Sequence, residues 1–290
     1  MFTGSGVALI TPFRDGAIDE AAFSRHIEEQ IAAGTDFLVP CGTTGESATL
    51  SHEEHDRVVE MTVTVAAKRV KVLAGAGSNS TAEAIRLTQH AKKAGADGVL
   101  HINPYYNKPT QEGLFRHFEA VAAAVDIPVI LYNIPGRTGV NMSPETMARL
   151  AKLDNIIGVK EASGSLVQVS DIIAACPEGF LVHSGEDALT FPMLTLGAQG
   201  AISVTANVLP QKCAAMFRAA EAGEWERAKT IHYELAEMNR VLFVETNPAP
   251  VKAALHLMKK IGPDLRLPLV SVTSEHLQEI RSVLQSYGLL

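Results

Sequence analysis

Apolar residues along this chain fall in short runs, and longer polar stretches of helical period separate one run from the next. The runs cover residues 7–10, 37–39, 71–73, 99–102, 128–132, 156–160, 180–183 and 201–204. Few of them alternate apolar with polar positions, so each predicted strand is covered on both faces, as in a parallel sheet clothed by crossover helices. Helix starts are legible where Ser51 precedes Glu54 and Ser80 precedes Glu83, each predicting a capping box. Another is predicted at Ser143, with Pro144 at the first helical position. Helix ends are predicted at Gly34, Gly95 and Gly197, each leading straight into a strand run.

A unit of helix, glycine and strand recurring at roughly 30-residue spacing predicts a (β/α)8 TIM barrel, which closes a parallel sheet without leaving an edge. A doubly wound open sheet is the alternative. Against it stand the lack of a GxGxxG turn after the first run and the polar clusters that follow several runs rather than one. Beyond residue 204 the pattern turns wholly helical, over 209–222, 224–244, 248–261 and 274–287. The reading is a barrel over residues 1–225 and a C-terminal helical appendage over 226–290, packed on the barrel or on another subunit.

The composition supports one large core: 47% of the 290 residues are hydrophobic. A formal charge of −7, with no basic run, argues against a nucleic-acid partner. No apolar stretch has the length of a membrane span, and the opening Met1-Phe-Thr-Gly-Ser-Gly6 has no signal-peptide character, so a cytoplasmic protein is expected. Cys41, Cys176 and Cys213 lie far apart without a CxxC pair, which fits a reducing compartment and excludes a cysteine zinc site. Cys41 adjoins a loop of interest, and buried cysteine mostly behaves as a small hydrophobe.

Candidate chemistry gathers where runs end, because barrels carry reactive groups at the C-terminal ends of their strands. The sixth run closes in Asn155-Ile-Ile-Gly-Val-Lys-Glu-Ala162, placing Lys160 at the end of a buried strand. Desolvation there draws an amine from about 10.4 toward roughly 7–8, where it attacks carbonyls to form a Schiff base. Snorkelling to water is the structural alternative. After the second run comes Gly42-Thr-Thr-Gly-Glu-Ser47, hydroxyls flanked by glycines that let backbone N–H groups approach an anion. The fourth run leads into Asn103-Pro-Tyr-Tyr-Asn107, and the fifth ends in Leu131-Tyr-Asn-Ile-Pro-Gly-Arg-Thr-Gly139. Two phenols thus approach one rim, where tyrosines also serve simply as packing residues. Arg137 sits on a loop where its planar fork can hold a carboxylate. The segment His52-Glu-Glu-His55 has its histidines three apart, not four as in HExxH, and no GxSxG occurs; metal and acyl-transfer chemistry recede.

The strings Gly42-Thr-Thr-Gly-Glu-Ser47, Tyr132-Asn-Ile-Pro-Gly-Arg-Thr-Gly139 and Gly158-Val-Lys-Glu-Ala162 resemble the 4-hydroxy-tetrahydrodipicolinate synthase (dihydrodipicolinate synthase) family, within the pyruvate-dependent Schiff-base aldolases and lyases. The likeness spans nearly the whole chain, through Ile202-Ser-Val-Thr-Ala-Asn207 and Asn247-Pro-Ala-Pro-Val-Lys252. It implies that Lys160 forms a Schiff base with pyruvate, that Tyr132 shuttles protons, and that Thr43 and Tyr106 complete a relay. It implies that Thr44 and Ile202 bind pyruvate and that Arg137 holds the carboxylate of L-aspartate 4-semialdehyde. No metal or organic cofactor is implied. The family's lysine-binding positions fall on Ser47, Ala48, His52, His55, Asn79, Glu83 and Tyr105, which implies inhibition by L-lysine in a cleft between subunits. A homotetramer is implied as well, with Tyr106 reaching a neighbouring subunit's site. Small departures are Glu186, where relatives often carry Asp, and Thr246, where proline is frequent. The rival readings are another pyruvate-dependent aldolase or lyase, such as N-acetylneuraminate lyase or a keto-sugar-acid aldolase, and a non-catalytic amino-acid-binding barrel.

Overall fold

A computed structural model describes residues 2–290. Eight strands close into a barrel: β1 (Gly4–Ala8), β2 (Phe37–Val39), β3 (Lys71–Gly75), β4 (Gly98–Ile102), β5 (Val129–Asn133), β6 (Ile156–Glu161), β7 (Leu181–Ser184) and β8 (Gly200–Ser203). Every neighbouring pair is parallel, and β1 pairs with both β8 and β2, so no edge remains. The predicted fold class therefore stands.

The first strand is displaced from its predicted position, starting at Gly4 rather than residue 7. Hydropathy misses Gly4-Ser-Gly6 because the barrel wants small residues there; a Cβ on Gly6 would lie 2.3 Å from the Phe37 ring. The strand's ladder to β8 then runs from Gly4 against Gly200 to Val7 against Ser203. A short hairpin, Phe13–Arg14 with Ala17–Ile18, follows and was not predicted.

The barrel interior is filled by Phe2, Ala8, Phe37, Val39, Leu73, Leu100, Ile130, Tyr132, Leu181 and Ile202. A larger apolar layer lies outside, between the strands and helices, and it runs on into the C-terminal helices through Leu235, Val251, Leu255 and Ile280. Beyond the barrel's eighth helix, Pro210–Glu221, come Trp225–Val241, Ala249–Leu257 and Ser274–Ser286.

Several local expectations are met. Ser51 and Glu54 form the reciprocal capping box, and Ser143 caps a helix that begins with Pro144. Gly95 and Gly197 are left-handed helix caps, and Gly34 follows a helix end with φ +85°. The capping box at Ser80 does not form, for a chemical reason: the Glu83 carboxylate is taken by His52 Nε2, 2.8 Å away, and by the Ser78 hydroxyl. No helix among the described residues is long and apolar enough to cross a membrane.

Candidate active site

Residues of β5 alternate, with Val129 and Leu131 toward the helices and Ile130 and Tyr132 toward the barrel axis. In β6, Val159 belongs to the outer layer, so its successor Lys160 turns inward. Tyr132 pairs in register with Lys160, and Lys160 with His183 of β7. Tyr132 is 5% exposed and Lys160 6%. Lys160 Nζ lies over the Tyr132 ring, 4.1 Å from its centroid.

Burial strips water from the ammonium and outweighs the attraction of the Asp187 carboxylate, with the Arg137 charge adding to the effect; the Lys160 pKa falls to about 7. A large share of free base is therefore present at neutral pH, as a nucleophilic amine requires. Gly185 leaves room for it, since a Cβ there would lie 2.7 Å from Ala162 Cβ and 3.0 Å from Lys160 Cε. Burial pushes the Tyr132 phenol up to about 12, against the Arg137 charge and the Thr43 side chain. A neutral phenol beside a neutral amine is a pair able to pass a proton.

A cavity of about 470 Å³ opens at this rim, and Thr43, Tyr132 and Arg137 line it. Lys160 is not on its wall and meets it through the Tyr132 ring. Thr44 is buried, its Oγ1 accepting from Asn247 Nδ2 at 3.0 Å. Ile202, on β8, is buried in the same interior cluster as Tyr132. Arg137 rides on the one-turn helix Pro135–Thr138, where Nη2 donates to the Asn247 carbonyl at 3.2 Å. Its other donors remain available for a carboxylate. Tyr106 stands apart: it is 88% exposed, has φ +68°, and does not line the cavity of its own chain.

Ser47, Ala48, His52, His55, Glu83 and Tyr105 line this same cavity. Asn79 lies outside the lining and donates from Nδ2 to the Tyr105 carbonyl at 3.2 Å. His52 and His55 therefore do not meet as a metal pair: one faces Glu83, while burial holds the other neutral with a pKa of about 4. Among the described residues no group of three or more His, Cys, Asp or Glu side chains is placed to hold a metal ion. Cys41 is buried with its Sγ 3.7 Å from the His55 carbonyl, and burial pushes its thiol up, which makes it a packing residue.

Three further participants have no role assigned from the sequence. Asp187, buried, accepts from the Ser203 hydroxyl and from the Val204 and Thr205 amides at 2.9 and 3.1 Å; burial nonetheless raises its pKa. Its position just past β7 obeys the strand-end rule and could have been found that way. Asn247 joins Thr44 to Arg137 but follows no strand. Lys252, paired with Glu46 at 2.5 Å, lies on a C-terminal helix.

A parallel barrel with a desolvated amine and a phenol at its C-terminal strand ends, beside a cavity that an arginine lines, is built as an enzyme. Comparison with known proteins names the family. The model described as "Dihydrodipicolinate synthetase family" matches residues 1–287. A relative from Syntrophus aciditrophicus, called 4-hydroxy-tetrahydrodipicolinate synthase, is 58% identical over 290 residues, with 100% of both chains covered. The crystal structure of the chloride-inhibited dihydrodipicolinate synthase from Acinetobacter baumannii, complexed with pyruvate, is 44% identical, covers 100% of each chain and gives a TM-score of 0.98. The DHDPS from Cyanidioschyzon merolae, solved with lysine bound, is 41% identical over 100% of this chain and 99% of its own, with a TM-score of 0.96. The chain belongs to the dihydrodipicolinate synthetase family and is an enzyme of that family.

Proposed function

We propose that this enzyme condenses pyruvate with L-aspartate 4-semialdehyde through a Schiff base on Lys160, giving 4-hydroxy-tetrahydrodipicolinate on the diaminopimelate route to lysine. The observation that carries the reading is the buried Lys160 amine, with its pKa drawn down to about 7, set against the Tyr132 ring. The free amine attacks the ketone carbon of pyruvate, and loss of water leaves an iminium. Removal of a methyl proton gives the enamine, whose carbon attacks the aldehyde. The semialdehyde's own amine then displaces Lys160 from the iminium carbon, closing the ring and freeing the lysine.

Each proton in this sequence needs a carrier, and Tyr132 with Thr43 beside it takes that role. Thr44 and the main chain at Ile202 hold pyruvate. Arg137, at the cavity wall, receives the semialdehyde carboxylate. Arg137 also favours this reading over a sugar-cleaving lyase, whose aldehyde partner lacks that charge. Tyr106, projecting from its own chain, serves the site of a neighbouring copy in a homotetramer. The enzyme works in the cytoplasm.

L-lysine acts as effector in the same cavity, among Ser47, Ala48, His52, His55, Glu83 and Tyr105, with Asn79 bonded to the Tyr105 carbonyl. Glu83, already holding His52 and Ser78, offers the carboxylate for its ammonium group. The lysine-bound relative supports this reading. The decisive experiment mixes the purified protein with both substrates, follows ring product, and in parallel traps the pyruvate imine with borohydride. Mass spectrometry should find the adduct on Lys160; an unmodified peptide would overturn the mechanism. Titration with L-lysine should lower the rate and lose potency in Glu83→Gln; a rate indifferent to L-lysine would remove the effector.

A further inference from the structure

The loop that follows β2 is closed on itself by backbone bonds, with the Gly45 and Glu46 amides donating to the Gly42 and Thr43 carbonyls at 3.1 Å. Gly42, Thr43, Thr44 and Gly45 supply no large apolar side chain to anchor it. Glu46, next in line, takes a left-handed backbone conformation at φ +54°, unfavourable for a residue with a Cβ. Its side chain is 0% exposed and meets Lys252, itself 1% exposed, at 2.5 Å. Lys252 Nζ also donates to the Thr11 carbonyl at 3.0 Å, and the Thr11 hydroxyl donates back to the Gly45 carbonyl at 2.7 Å.

The grip extends further along the C-terminal region. The Arg266 amide donates to the second Glu46 oxygen at 3.2 Å, while its guanidinium reaches the Thr49 carbonyl at 2.9 Å and clasps Glu54 with two bonds of 2.6 Å. Asn247 holds the Thr44 hydroxyl at 3.0 Å. Lys252 Nζ and the Arg266 guanidinium carbon each lie 4.3 Å from the centroid of the Phe13 ring.

A buried ion pair contributes little net stability, and two apolar side chains of similar volume would serve the core as well or better. What it does supply is direction, because each bond fixes a particular atom of the loop. We propose that Lys252 and Glu46 are positioning residues that hold Thr43 and Thr44 in working geometry, making the C-terminal helical region part of the catalytic apparatus. This rests on the roles given to Thr43 and Thr44 under the proposed function.

The test uses the full-length protein and the double variant Lys252→Met with Glu46→Gln, which removes both charges and leaves neither one stranded. The double variant should melt near the wild-type temperature and still give the borohydride-trapped adduct at saturating pyruvate. Its KM for pyruvate should rise about tenfold or more and kcat should fall, since a displacement of about 1 Å can cost about 10²-fold. The amides of Gly45 and Glu46, which bond to the Gly42 and Thr43 carbonyls, should exchange hydrogen faster in the folded variant. A folded double variant with unchanged KM, kcat and loop exchange overturns the proposal.

Should the double variant not fold, exchange in the wild-type protein decides: the Gly45 and Glu46 amides should open together with the helix Ala249–Leu257. Loop amides that exchange freely while that helix stays protected refute the clamp. Failure of the wild-type protein to trap pyruvate would instead bring down the proposed function, and the exchange data would then judge the clamp alone.

Discussion

Two lysines are buried in this molecule, and they are kept in opposite conditions. Lys252 has a carboxylate 2.5 Å from its nitrogen and a carbonyl at 3.0 Å. Lys160 looks onto the face of a phenol, with Asp187 acting on it only as a charge opposed by burial. Burial is the main cause that lowers the pKa of both, with a nearby arginine adding to it in each case, Arg137 at Lys160 and Arg266 at Lys252. Pairing is what separates a lysine that fastens a loop from one whose free base is on hand for a carbonyl.

The widest separation comes from deleting each amine in turn. Lys160→Met should abolish product formation, by roughly 10³-fold or more, as loss of a covalent nucleophile does. Its urea unfolding midpoint should hold or rise, because a desolvated amine is removed and no ion pair is broken. Lys252→Met should behave in reverse order: stranding Glu46 in the core costs about 3–5 kcal/mol of unfolding free energy. Equal stability losses in the two variants would erase the distinction.

Arg137→Ala probes the Lys160 side without touching the amine. Loss of charge-assisted bonds worth about 1.5–3 kcal/mol should lower kcat/KM for the semialdehyde by about ten- to a hundredfold. Imine formation with pyruvate should be spared, and stopped-flow kinetics on pyruvate alone would show it. Unchanged semialdehyde kinetics would remove the argument for a carboxylate at that position.

pH sharpens the contrast least, but its sign is definite. Adduct formation should rise by about tenfold per unit below the pKa of Lys160 and level off above it. The folded pKa, about 7, lies below the ordinary 10.5, so between these values the unfolded chain holds a proton that the folded chain lacks. Stability carried by Lys160 thus rises with pH across that window, and its penalty is fully present below it. Lys160→Met should flatten the dependence between those limits. Buried histidines act lower down: His55, His117 and His183 are held near 4 and His101 near 3, against an ordinary 6.5. The unfolded chain takes up their protons first as pH falls below 6.5, so melting temperatures should drop steadily from there toward pH 4.

The same contrast explains what could be read from residue order. Barrel architecture was legible because apolar runs and helix-ending glycines such as Gly95 and Gly197 act locally, within a few residues of what they determine. Lys160 was legible because a charge at the end of an apolar strand is anomalous in place. Lys252 was not, since its partner is 206 positions away and an Ala-Leu-rich helix around it suggests nothing unusual. Distance along the chain also hid Asn247, whose partner Thr44 is 203 positions away. At Ser80 a local rule misfired because Glu83 found stronger partners in His52 and Ser78. The short β1 segment was displaced because interior crowding by Phe37, not hydropathy, selects Gly6.

The clasp on the β2 loop also orders events in time. A chain emerging from the ribosome has the sequence of all eight strands once Ser203 is made, yet Asn247, Lys252 and Arg266 come later still. Until those residues are synthesised, the Asn247 bond to Thr44 and the Lys252 and Arg266 bonds to Glu46 are missing, so a nascent barrel carries its amine before the β2 loop has its full set of bonds.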